Sequence, residues 1–171
     1  MSLDKLNDFI FTNNIIVEEC DKLKHFKKAA LFCSINGNNI ILLGDDFNSR
    51  SKNERLEILA EECGHYATTT GDMTVINNYS DKVKIDKAEL KAKQWAAEFL
   101  IDFNKFKEAC IKCQTLQELI DYLDISYNIL NEYVTKLSLR EQYFDLGNGY
   151  RLNLYRLPNI VKERCDDSET P

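Results

Sequence analysis

Two histidines, two prolines and six glycines are all that this 171-residue chain holds of those types. With so few helix breakers and turn formers, no Pro/Gly-rich linker divides it, and one domain or a domain with an appendage is expected. No apolar run approaches the ~18 residues that would mark a membrane-spanning helix. The N-terminal MSLDKLNDFIF lacks the basic head and long apolar core of a secretory signal, so the expected location is cytoplasmic. An excess of basic residues is missing as well: 22 Lys and Arg face 28 Asp and Glu, a net charge of −6. A large nucleic-acid footprint needs a basic face, so nucleic acid is not the expected partner.

Cysteine is present but without a pairing pattern. Cys20, Cys33, Cys63, Cys110, Cys113 and Cys165 are dispersed, as reduced, semi-buried thiols are. Cys110-Ile-Lys-Cys113 has the spacing of half a zinc knuckle, but neither a second pair nor a nearby histidine completes four ligands. These are read as ordinary helix cysteines. The apolar fraction of 44% is that of a globular protein.

Along the chain, Asn14 to Lys28 shows helical spacing at Ile16, Val17, Cys20, Leu23 and Phe26. Ala30–Ile35 and Ile40–Leu43 read as strands joined by an Asn36-Gly37 turn. Ser51 and Glu54 form a capping box that opens a helix through Leu59 and Ala60 to His65. Residues 67–86 read as an irregular loop bordering a cleft. Helices are expected again over 87–102 and about 104–113. In the last third, Thr115 and Ser126 open two short helices, and alternating segments flank Gly147-Asn148-Gly149 as a hairpin. Helix, turn, helix, hairpin is the layout of a winged helix. The expected organisation is α+β: residues 1–102, a helical region with a winged-helix-like layout over 103–160, and a frayed acidic tail over 161–171.

The stretch Leu59-Ala60-Glu61-Glu62-Cys63-Gly64-His65 carries the chemistry. It reads as the zinc-peptidase pattern H-E-x-x-H with glutamate in place of the first histidine. Residues four apart share a helix face, so Glu61 and His65 hold the ligand positions. Glu62 holds the position of the general base that deprotonates water. With two histidines in the chain, any metal site must draw on carboxylates. His25 sits among lysines in Lys22-Leu-Lys-His-Phe-Lys-Lys28 and is read as a surface residue. Asp72 is a candidate fourth ligand, although a turn at Gly71-Asp72 explains it as well. Tyr66 and Tyr79 are candidate oxyanion stabilisers with packing as the commoner role, and Cys63 points sideways into packing.

From Ala30 to Leu100 the chain resembles the ImmA/IrrE family of metallopeptidases of phages and mobile elements. The resemblance rests on a short hairpin, the helix Leu59–His65, and a later helix, Glu89-Leu-Lys-Ala92-Lys-Gln-Trp95-Ala96-Ala97-Glu-Phe99-Leu100. It implies Glu89 as third metal ligand beside Glu61 and His65, with Glu62 as general base. Lys93 stands where the family pattern has Asn, and Trp95 where it has Phe. A divalent metal is implied, zinc first. Two carboxylates and one imidazole shift the preference toward harder ions, with manganese the alternative. The function implied is cleavage of a helix-turn-helix repressor. The alternatives are a pseudo-peptidase that binds this partner without cutting it, and a DNA-binding regulator. The second of these is poorly served by residues 105–156, where seven Lys/Arg are balanced by seven Asp/Glu.

Overall fold

Asn14 ends the first helix by adopting a left-handed φ of 51°. The chain leaves helix α1 (Leu3–Thr12) there, and the β-branched run Ile15-Ile16-Val17 continues as strand β1 (Ile15–Glu19). A computed structural model describes residues 3–26, 28–69, 79–155 and 161–165. The helix expected over 14–28 is therefore replaced by β1 and a 3-10 segment, Asp21–Phe26. The apolar spacing there was coincidental: Ile16 and Val17 pair with Ile40 and Ile41 of another strand.

That partner is the hairpin read from the sequence. β2 (Ala30–Ile35) and β3 (Asn38–Leu43) pair antiparallel around Asn36 and Gly37, whose φ values of 52° and 81° suit a two-residue turn. β1 adds parallel to β3, giving the order β1-β3-β2 and leaving β2 at an edge. Ile15, Ala30 and Ile41 are buried on one face of this sheet.

Helix α2 (Lys52–Thr68) begins at a complete capping box. The Ser51 hydroxyl accepts from the Glu54 N–H, and the Glu54 carboxylate accepts from the Ser51 N–H at 2.9 Å. Helix α3 (Tyr79–Leu100) begins eight residues before its expected start. Its first turns carry Lys82, Lys84 and Asp86 outward, so no apolar period announces them. Asp72 and the Tyr79 side chain lie outside the described residues. An aromatic group ties these helices to α1: Phe9 meets Trp95 at 5.0 Å, Phe99 at 5.6 Å and Tyr66 at 6.0 Å.

The chain divides into two compact units, Met1–Leu100 and Ile101–Pro171. In the second, α4 (Phe103–Lys112), α5 (Leu116–Leu123) and α6 (Tyr127–Ser138) start at Asp102, Thr115 and Ser126, each accepting a backbone N–H three residues on. Asp124, at φ 57°, makes the turn between α5 and α6. Phe106, Leu130, Tyr133 and Val134 fill the interior, with Phe106 and Tyr133 edge to face at 5.1 Å. Strands β4 (Tyr143–Gly147), β5 (Tyr150–Asn153) and β6 (Val161–Arg164) form an antiparallel sheet in that order. β6 corrects the expectation of a frayed tail from residue 161. Its side chains are mostly polar, so alternation did not mark it, yet Glu163 holds Arg151 at 3.1 Å and Asn153 at 2.6 Å across the ladder. Among the described residues, no helix is long and apolar enough to cross a membrane.

All six cysteines are free. Burial pushes the Cys63 and Cys110 thiols up to about 12, whereas Cys165 is exposed. An aromatic disulfide reagent at pH 8 is expected to modify Cys165 readily and to reach Cys63 and Cys110 only in denaturant. Peptide mapping of the labelled thiols checks this, and fast native labelling of Cys63 would contradict the packing of α2.

Candidate metal centre

Helices α2 and α3 meet along a seam of very small residues. Ala60, Cys63 and Gly64 on α2 are buried, as are Ala88, Ala92 and Ala96 on α3. At Gly64 the backbones come so close that an added Cβ would lie 2.4 Å from the Ala92 carbonyl oxygen. Each expected ligand directly follows one of these seam residues: Glu61 after Ala60, His65 after Gly64, Glu89 after Ala88. One residue along a helix is a rotation of about 100°. All three therefore emerge from the flank of the seam, where one donor atom from each lies within 4.8 Å of the others. His65 Nε2 is 3.5 Å from Glu89 Oε2.

Glu62 opens on the same cleft, a hollow of about 290 Å³ lined by Lys28, Ala29, Ala30, Ile58, Glu61, Glu62, His65 and Glu89. The Glu62 side chain is only 8% exposed, and its Oε2 accepts the Phe32 N–H of β2 at 2.6 Å. That N–H is available because Phe32 belongs to the set of β2 residues whose backbone groups face away from β3. Burial raises the pKa of Glu62, opposed by His65 and the Phe32 N–H. Burial likewise raises Glu61, with Lys93 the largest opposing charge. Burial of His65 disfavours its charged form, but Glu89, Glu62 and Glu61 outweigh this and raise its pKa. The His65 hydrogen bond lowers Glu89, against burial and with help from Lys28 and Lys93.

This donor set fits a divalent ion. Ligands about 2.1 Å from a tetrahedral centre lie roughly 3.4 Å apart, which the His65–Glu89 pair nearly meets at 3.5 Å, with a Glu61 oxygen within 4.8 Å of both. Three candidate donors beside an open cleft would leave a fourth position for water or substrate, as catalytic rather than structural sites do. Other candidates fall away from this point. The Tyr66 hydroxyl donates to Asn13 Oδ1 at 3.2 Å and its ring packs on Phe9 and Phe32, so it is a structural tyrosine and not an oxyanion donor. His25 is exposed in the 3-10 segment. Cys63 is fully buried in the seam. Lys28 was not singled out from the sequence, where it ends a lysine-rich run and has no motif.

Gly64→Ala is expected to force the helices apart, lowering stability by roughly 1–3 kcal/mol as overpacked cores do. It should also weaken divalent-metal binding, because Glu61 and His65 would move relative to Glu89. Denaturant unfolding and calorimetric metal titration of the same variant check both halves.

Neither a curated protein nor a solved structure matches the chain. A family model does: the peptidase M78 family, described as the IrrE N-terminal-like domain, matches residues 21–134, two thirds of the sequence. The chain with this helix-borne cluster of Glu61, His65 and Glu89 therefore belongs to the IrrE N-terminal-like peptidase family.

Proposed function

We propose that this chain is a metal-dependent endopeptidase that acts in the cytoplasm on a helix-turn-helix repressor of a phage or mobile element. The convergence of Glu61, His65 and Glu89 beside the buried Glu62 carries the reading. Family membership supports peptide hydrolysis, and the repressor as target follows from the ImmA/IrrE resemblance. The same resemblance favours Glu61, His65 and Glu89 as the metal ligands. A divalent cation there would supply Lewis-acid polarisation of the scissile carbonyl and acidify water.

The chain's own residues account for the proton. Hydrolysis adds water across the C–N bond: as the water oxygen attacks the carbonyl carbon, Glu62 accepts the released proton and later returns it to the departing amine. The Phe32 N–H fixes Oε2 of Glu62, leaving Oε1 as the accepting atom. A pKa raised by burial makes a carboxylate a better base near neutral pH. Glu61 tempers the outcome. It gives the cation a second carboxylate where an imidazole would leave more net positive charge, so manganese competes with zinc for the site. The helices α5 and α6 with the β4-β5-β6 sheet are read as a winged-helix-like unit suited to gripping a protein partner.

Glu61 also favours a second reading, a pseudo-peptidase that binds the repressor without cleaving it. Glu62→Gln separates the two. In an enzyme it lowers cleavage by about 10²–10⁴-fold while metal and partner binding persist. The expected result is that loss, measured on a repressor encoded beside this chain and with zinc or manganese supplied. Tight partner binding without cleavage by the natural chain, with either metal, would leave the pseudo-peptidase.

A further inference from the structure

The cleft carries a cation of its own. Lys28, just ahead of β2, lines it together with Glu61, Glu62, His65 and Glu89. Its ammonium lies 3.9 Å from Glu89 Oε1, while His65 approaches the other oxygen of that carboxylate, Oε2, at 3.5 Å. Both oxygens of Glu89 thus already face a nitrogen. Three carboxylates share this small volume, and among the described residues Lys28 is the one lysine lining it, with Lys93 also acting on Glu61 and Glu89. The Lys28 charge favours the ionised forms of Glu61, Glu62 and Glu89, although burial outweighs it at Glu61 and Glu62 and Lys93 acts more strongly on Glu61. The Lys28 side chain is 48% exposed. A flexible four-carbon stem lets such an ammonium move between the cleft and water without backbone change.

We propose that Lys28 is the built-in counter-cation of the site, paired with Glu89 until an incoming divalent ion displaces it. This rests on the metal-site reading of Glu61, His65 and Glu89. Metal loading is then an exchange, one ammonium out and one divalent ion in. The site binds its metal more loosely than the same three ligands would without the lysine. An ordinary surface ion pair would not act this way: it would add little stability and have no bearing on metal affinity.

The test uses the full chain with Lys28→Gln, Lys28→Ala and Lys28→Arg, each checked for folding by circular dichroism. Calorimetric titrations with Mn²⁺ alone and with Zn²⁺ alone give the affinities, and thermal melts in chelator give the metal-free stability. The neutral variants are expected to bind both ions tighter by about tenfold at low salt, the scale of one nearby unit charge acting on a divalent ion. They should also melt lower in chelator, since the carboxylates lose one of their positive partners. At 1 M salt the affinity gain should shrink, while Lys28→Arg should keep the natural affinity. Unchanged or weaker metal binding in both neutral variants would overturn the proposal. If the natural chain binds neither ion at millimolar concentration but the neutral variants do, the lysine's role stands and the metallopeptidase reading falls. Binding by none of them would remove both.

Discussion

Gly64 against the backbone of Ala92 is the contact on which the site depends. A side chain there would have to occupy space already taken by the Ala92 carbonyl. Because it is absent, α2 and α3 approach closely enough for ligands from both to reach one point. The neighbouring seam residues, Ala60, Ala88 and Ala96, are likewise small and buried. Interaxial distance between helices is set by the side chains at the contact, so a seam of glycine and alanines fixes a short one. The glutamates and histidine then need no special loop. Each is placed by its step from a seam residue, and the helices are held from outside by the aromatic group of Phe9, Tyr66, Trp95 and Phe99.

Closeness has an electrostatic consequence. Three carboxylates gathered around a partly buried point repel each other, and burial adds to the strain by favouring their neutral forms. The fold answers with four positive or partly positive groups: His65, the Phe32 N–H, Lys28 and Lys93. Glu61 is the source of the extra charge, and it sits where Lys93 exerts the largest opposing effect. Glu61 is therefore accommodated electrostatically by its surroundings.

Much of this was legible in the sequence where local rules act alone. The Asn36-Gly37 turn, the Ser51–Glu54 capping box and the helix spacing of Glu61 and His65 each follow from a few adjacent residues. Glu89 needed the family pattern, since nothing local ties it to a helix more than twenty residues earlier. What escaped was set by distant partners. β1 became a strand because β3 offered a parallel edge, against a spacing that mimicked a helix. The first turns of α3 and the strand β6 carry polar side chains outward and so lack a hydrophobic period. Lys28 is one lysine among several in sequence, and only the arrival of Glu89 from α3 gives it a role.

The two halves of the first unit thus divide the chemistry between them. The helix pair supplies every acid and the imidazole. The edge of the small sheet adds two of the groups that balance them, beside His65 and Lys93 of the helices: the outward N–H of Phe32, and Lys28 where the chain enters β2. An edge strand has unpaired outward N–H groups, normally a liability for aggregation. Here one of them holds one oxygen of Glu62, which orients the other for the base role proposed for it. The sheet is therefore part of the candidate site rather than a support beneath it. A change in β2 register by one residue would turn the Phe32 N–H toward β3 and release Glu62, even with every residue of the helix motif intact.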